Sequence, residues 1–273
     1  MCVSPVYLSD KRIYVPCGMC YECAIRSTTE WALRICLEAK QHKDNCCVTL
    51  TYNNEHLPEN SLLAPRDLQL WLKRLRKAIS PVKVRFFASG EYGSRMLRPH
   101  YHVILFGWKP DDLECFFNRK HERNFYTSKF VQDTWSLHGE PIGHILVGEV
   151  DWQTAFYTAK YLQKQLFKDS PVPPFVRMSN RPGIGSCAVD TVNKDLLLHE
   201  AIYFNGKKFR VPRYFFKVLE NADKRDEFID WEYFHDQRLF SARESARKLD
   251  TTSENFRRRQ RKAERFFDPM RLR

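Results

Sequence analysis

Residues 98–107, RPHYHVILFG, set His100 and His102 two positions apart at the start of an apolar run. Side chains alternate between faces along a β-strand, so the two imidazoles share a face with Ile104 and Phe106, while Tyr101, Val103 and Leu105 take the other. Such a pair suits a divalent metal; it equally suits two partly buried histidines on a sheet. Glu91 ends the preceding run, KVRFFASGE, eight residues before His100. Antiparallel pairing of the two runs brings this carboxylate beside the histidine face, as a third ligand or as a hairpin-end glutamate in water. Two histidines and one carboxylate leave positions open on Mg²⁺ or Mn²⁺ for substrate oxygens.

A second constellation follows in AFYTAKYLQKQL, residues 155–166, which reads as a helix. Tyr157 and Tyr161 stand at i and i+4, on one face, with Lys160 and Lys164 on its flank. Tyrosines at this spacing serve as core or boundary residues unless they face a metal-bound phosphodiester. In that setting the ion polarises the phosphoryl oxygens and a phenolate attacks phosphorus in line. The product is a covalent phosphotyrosine that keeps the energy of the broken bond.

A third lies near the start. CGMCYEC gives Cys17, Cys20 and Cys23 in a C-x2-C-x2-C pattern, with Cys2 the nearest further thiol. These four could hold a structural Zn²⁺; the alternative is a cysteine-rich turn packed under the following helix. An iron–sulfur cluster suits the run less well, because it lacks a well-spaced fourth cysteine. The nine cysteines are an odd number without a secretion signal, which favours reduced thiols or a metal over a disulfide framework.

These groups need elements to position them. The spacing of Ile25, Trp31, Ile35 and Ala39 predicts a helix over 22–42, and β-branched CCVTLTY predicts a strand over 46–52. PRDLQLWLKRLRKAI, residues 65–79, is an amphipathic helix with Pro65 at its start and Leu68, Trp71, Leu72, Leu75 and Ile79 on one face. Strands follow over 83–91 and 99–107, partly helical chain over 111–138, a strand over 144–150 and a helix over 152–168. The order predicts an α+β fold, a central antiparallel β-sheet flanked by helices. Four segments are expected: a Cys-rich segment and helix (1–43), a catalytic core (44–168), an accessory region (169–240) and a helical, basic C-terminal tail (241–273).

The chain has 273 residues and a net charge of +12, which favours a polyanionic partner, nucleic acid before membrane. Residues 241–273 carry eleven Lys/Arg against five Asp/Glu, half of that excess. A tail of this kind binds phosphate, or is a solvated helix face or disordered end. No apolar run approaches a membrane span and no signal-peptide core opens the chain, so a soluble, cytoplasmic protein is expected. No G-x-x-x-x-G-K-[ST] loop is present, so no P-loop helicase is fused to it. Arg177, Arg181 and the loop Gly183–Gly185 could contact phosphate, but basic glycine loops are usually only loops, and no role is assigned to them.

VTLTYNNEHLP, SGEYGSRMLRPHYHVILFG and YTAKY occur in the order of the three motifs of HUH endonucleases that initiate rolling-circle replication. More narrowly, with VPCGMCYEC, MSNRPGIG and VPRYFFKVL, the chain resembles the replication initiators of gokushovirus-type microviruses, small single-stranded DNA phages, over about residues 15–220. The resemblance implies an HUH (Rep-like) fold, metal ligation by His100 and His102, nucleophilic Tyr157 and Tyr161, and assistance at the phosphate by Lys160. It treats Thr49 to Tyr52 as structural and DNA-positioning; Glu91 rests mainly on the hairpin argument. Implied with it are phage DNA as partner (single strand and replicative-form origin), host helicase and polymerase, and the cytoplasm of a bacterial host. Two other classes stay open: a non-enzymatic DNA-binding regulator, which uses the charge alone, and a hydrolytic metal-dependent nuclease, which needs neither tyrosine.

Overall fold

The computed structural model describes residues 2–93, 96–117, 124–164, 171–191, 201–223, 230–249, 254, 256–258 and 261; for 116, 117, 161–164 and 223 it describes the backbone alone. Hairpin β1 (Val6–Leu8) and β2 (Ile13–Val15) precedes α1 (Tyr21–Lys40). Then come β3 (Asn45–Thr51), α2 (Pro65–Ala78), β4 (Arg85–Tyr92), β5 (Pro99–Phe106), β6 (Glu114–Phe117) and β7 (Phe125–Thr127). Next are α3 (Lys129–Thr134), the short pair β8 (Ser136–Leu137) and β9 (Glu140–Pro141), β10 (Ile145–Gly148), α4 (Trp152–Lys164) and β11 (Phe175–Met178). A hairpin of β12 (Ala201–Phe204) and β13 (Lys207–Arg210) leads into helices Arg213–Asp223 and Trp231–Arg247. The chain divides into two compact units, residues 31–190 and residues 1–30 with 191–273.

The larger unit is α+β, built on a seven-stranded antiparallel sheet in the order β11-β4-β5-β3-β10-β7-β6. Alternation sorts its faces. Val48, Leu50, Ala88, Tyr101, Val103 and Leu105 form a core with Leu68, Trp71, Leu72 and Leu75 of α2, and with Val131 and Trp135 at α3. Complete burial of each large side chain here stabilises the fold by about 1.5–3 kcal/mol. On the opposite face α1 meets the sheet through Trp31 on Phe87 and His42 beside Phe106, with ring centroids 5.6 and 6.1 Å apart. The same face receives α4, whose Ala155, Thr158 and Ala159 are buried over β4 and β5. Small residues there let the helix backbone lie close to the strands.

Two polar networks brace this unit. Tyr52, at the end of β3, donates to Asp67 Oδ2 of α2 and shares a 2.8 Å hydrogen bond with the Tyr101 hydroxyl. Tyr101 donates in turn to the Ala64 carbonyl, and burial pushes its phenol up to about 12. Glu38 of α1, fully buried, accepts from Arg85 of β4, from the Gly185 amide and from the Cys187 thiol. Gly143 is fixed by close approach, since a Cβ there would lie 2.0 Å from the Thr51 carbonyl oxygen.

The stretch 111–138, expected to be partly helical, departs most from its reading. Its described residues form an edge hairpin, β6 and β7, and only six residues of helix, α3. Pairing of β7 with β10 extends the sheet, and that tertiary gain outweighs local helix preference. Edge strand β11, which sequence patterning does not predict, pairs along β4 from Phe175↔Gly90 to Met178↔Phe87.

In the smaller unit β2 packs on helix Trp231–Arg247, and Arg243 donates to the Lys11 carbonyl. Phe216 stacks near Phe234 with Arg238 over its ring. Most of the basic tail expected over 241–273, including Arg259, Lys262, Arg265, Arg271 and Arg273, lies outside the described residues. Among the described residues no helix is long and apolar enough to cross a membrane.

Candidate functional site

Strand register assembles the first group. Glu91 on β4 lies directly opposite His100 on β5, and His102 lies between Thr49 on β3 and Ser89 on β4. Glu91 Oε1 is 2.9 Å from His100 Nε2 and 3.1 Å from His102 Nε2. The imidazole planes stand at 90°. All three side chains offer ligand atoms within 4.8 Å of one another. Neighbouring donors around an octahedral Mg²⁺ at about 2.1 Å lie about 3 Å apart, so the spacing suits such an ion.

The far ring nitrogens are tied as metal ligation requires. His100 Nδ1 lies 3.2 Å from the Arg98 carbonyl and His102 Nδ1 lies 3.1 Å from Thr49 Oγ1. An Nδ1 proton donated to each oxygen leaves both Nε2 lone pairs directed at the Glu91 side. Burial pushes the His102 imidazole below its ordinary value, against the opposing pull of Glu91, and so favours the neutral, ligating ring. Glu91 itself is buried, whereas the histidines are half-buried and keep an open side.

Helix α4 brings Tyr157 to that open side. Asp151 starts the helix by accepting from the Thr154 amide at 2.7 Å. The Tyr157 hydroxyl donates to Glu91 Oε1 at 3.4 Å, and its ring meets the His102 ring edge-on with centroids 5.2 Å apart. At 48% exposure the phenol remains accessible. Glu91, His100, His102 and Tyr157 therefore form one group. Lys160 is exposed on α4 and makes no hydrogen bond or ion pair among the described residues. The Tyr161 backbone is in α4, but its side chain lies outside the described residues.

Two features escape sequence reading. Thr49 belongs there only to a positioning motif; its cross-strand partnership with His102 is a tertiary pairing that no local pattern carries. A cavity of about 530 Å³ opens beside His102 and Tyr157, lined also by Thr49, Phe125, Thr154 and Thr158. The sulfurs of Cys2, Cys17, Cys20 and Cys23 form a separate cluster in the smaller unit, also within 4.8 Å of one another.

Comparison with known proteins places this geometry. Residues 45–166, which contain both the triad and the tyrosines, match the family model of the replication-associated protein ORF2. Replication-associated protein ORF2 of Spiroplasma virus 4 is 32% identical over 234 residues, covering 80% of this chain and 71% of that protein. Replication-associated protein ORF4 of Chlamydia phage 1 is 29% identical over 234 residues, 81% of this chain and 57% of that one. Replication-associated protein VP4 of Bdellovibrio phage phiMH2K is 31% identical over 212 residues, 73% of this chain and 65% of that one. No solved structure matches. The chain belongs to the family of phage replication-associated proteins that includes these three.

Proposed function

We propose that this protein initiates rolling-circle replication of a phage genome, as an HUH endonuclease that cuts one DNA strand with a tyrosine and later rejoins it. The observation that carries the reading is the Tyr157 hydroxyl 3.4 Å from the carboxylate that both histidines share. A Mg²⁺ or Mn²⁺ ion held by Glu91, His100 and His102 would supply Lewis-acid polarisation of the scissile phosphate. Tyr157 Oη attacks phosphorus, the P–O3′ bond breaks, and a 5′-phosphotyrosine and a free 3′ hydroxyl result. The phenol proton leaves toward solvent or Glu91 Oε1, and the departing 3′ oxygen takes one up. Because one phosphodiester replaces another, the 3′ hydroxyl can reverse the step and seal a strand without ATP.

The remaining groups take supporting roles. Thr49 and the Arg98 carbonyl hold the imidazoles in register. Lys160, one residue before Tyr161, offers positive charge to the phosphate. The cavity beside Tyr157, with threonine hydroxyls and the Phe125 ring in its lining, suits the sugar and base next to the cut. Tyr161, one turn along α4 from Tyr157, supplies a second nucleophile when the first is occupied. Host helicase and polymerase would supply unwinding and synthesis in a bacterial cytoplasm, with origin DNA, single-stranded or replicative, as substrate.

Incubation with a labelled single-stranded oligonucleotide carrying the phage origin, in Mg²⁺ or Mn²⁺, tests the reading. Label bound covalently to protein is the expected result. Free cut ends without protein-bound label would make the protein a hydrolytic nuclease, and a reversible shift alone would make it a DNA-binding regulator.

A further inference from the structure

The cluster in the smaller unit draws on three separate stretches: Cys2 before the β1–β2 hairpin, Cys17 and Cys20 on the turn after it, and Cys23 in the first turn of α1. Their sulfurs converge. Cys2 Sγ lies 3.5 Å from Cys17 Sγ and 3.8 Å from Cys20 Sγ, and Cys17 Sγ lies 3.9 Å from Cys23 Sγ. All four are free thiols, since a disulfide needs sulfurs about 2.05 Å apart. Four sulfurs at about 2.3 Å from one zinc ion stand about 3.8 Å from each other, which is the spacing observed. An iron–sulfur cluster would hold its cysteines farther apart.

The backbone is arranged for anionic sulfur. The Cys17 amide donates to Cys2 Sγ, and the Cys20 amide to Cys17 Sγ, each at 3.3 Å. Gly18, at φ +78°, turns the chain so that Cys17 and Cys20 face the same point. The start of α1 adds the positive end of a helix dipole beside Cys20 and Cys23. Four packed neutral thiols gain little from these donors, whereas thiolates on a cation gain from each.

We propose that Cys2, Cys17, Cys20 and Cys23 bind one structural Zn²⁺, a closed four-sulfur site apart from the Glu91–His100–His102 group. With all four positions filled by protein, the ion has no vacancy for substrate and acts on folding alone. It ties the residues before and after the β1–β2 hairpin to the head of α1. That hairpin carries the Lys11 carbonyl on which Arg243 rests, so the clamp also supports helix Trp231–Arg247. The sequence pattern names three of the ligands; closure of the hairpin supplies the fourth.

Elemental analysis of the full chain, purified without added metal, is expected to find about one zinc per chain. The double substitution Cys2→Ser/Cys20→Ser is expected to remove it, while Cys115→Ser, at an exposed cysteine, keeps it. Should the double variant not fold, Co²⁺ exchanged into the native protein gives an independent readout, the visible absorption of a tetrahedral thiolate site. Folded native protein with zinc well below one equivalent, with iron instead, with zinc that survives the double substitution, or with Co²⁺ lacking thiolate bands would overturn the assignment. None of these outcomes depends on DNA cleavage, so the site stands or falls apart from the proposed initiator role.

Discussion

Glu91 and His100 face each other across the β4–β5 pair, and one carboxylate oxygen, Oε1, lies within 3.1 Å of both His100 and His102 Nε2. A single oxygen serving two imidazoles is a tight donor set. His102→Ala is therefore expected to lower metal-dependent cleavage by at least about a hundredfold, because Lewis-acid activation is worth several kcal/mol. DNA affinity should persist, since phosphate contacts elsewhere carry most of it. Filter binding and cleavage on one oligonucleotide measure both, and full cleavage by the variant would remove His102 from the site. Glu91→Ala should be impaired as well; unimpaired cleavage would move the third ligand elsewhere.

Thr49 gives a subtler test. Its Oγ1 holds His102 Nδ1 at 3.1 Å, and loss of such an outer partner weakens metal binding by about 10–100-fold. Thr49→Val should raise the Mn²⁺ concentration needed for half-maximal cleavage accordingly, and Thr49→Ser should restore it. An unchanged metal requirement in Thr49→Val would make the contact incidental.

This pair also marks what local pattern can and cannot reveal. Glu91 is legible because the hairpin is short and alternation fixes which residues share a face. The elements 22–42, 65–79 and 152–168 are legible as helices because their apolar residues recur at helical spacing. Thr49 and His102 are 53 residues apart in the chain, and only the β3–β5 register brings them together. The β6–β7 hairpin and β11 escape the sequence for a related reason. Each is a strand of three or four residues whose stability comes from sheet pairing, not from its own composition. The network around Glu38 joins α1, β4 and the loop at Gly185, and no sequence spacing announces it.

That network makes a pH prediction. Burial pushes the Glu38 carboxyl up, but the Gly185 amide, Arg85 and Cys187 together hold it below its ordinary value. A carboxyl lowered in the folded state contributes stability that is fully present above its unfolded value and is lost as pH falls through the folded one. Glu38→Gln should cost about 2–4 kcal/mol near neutrality, since Arg85 loses its buried partner. The gap to the parent should narrow below about pH 4. Urea midpoints at both pH values check this, and a gap independent of pH would contradict it.

The basic tail should act on affinity alone. Removal of residues 250–273 deletes eight Lys/Arg. DNA binding should weaken, and the slope of log K against log salt should become shallower by about 0.7–0.9 for each phosphate no longer neutralised. Cleavage chemistry should remain. An unchanged slope would show that the tail does not touch DNA.

The most direct test of the central claim is to trap the product and find which side chain carries DNA. Mass spectrometry of protein incubated with origin oligonucleotide in Mn²⁺ is expected to locate nucleotide on Tyr157 and, in part of the sample, on Tyr161. Tyr157→Phe and Tyr161→Phe should each keep some cleavage, fail at repeated rounds of circle production, and together abolish the adduct. Cut DNA without any protein-bound nucleotide, or an adduct that survives the double substitution, would contradict tyrosine-mediated initiation.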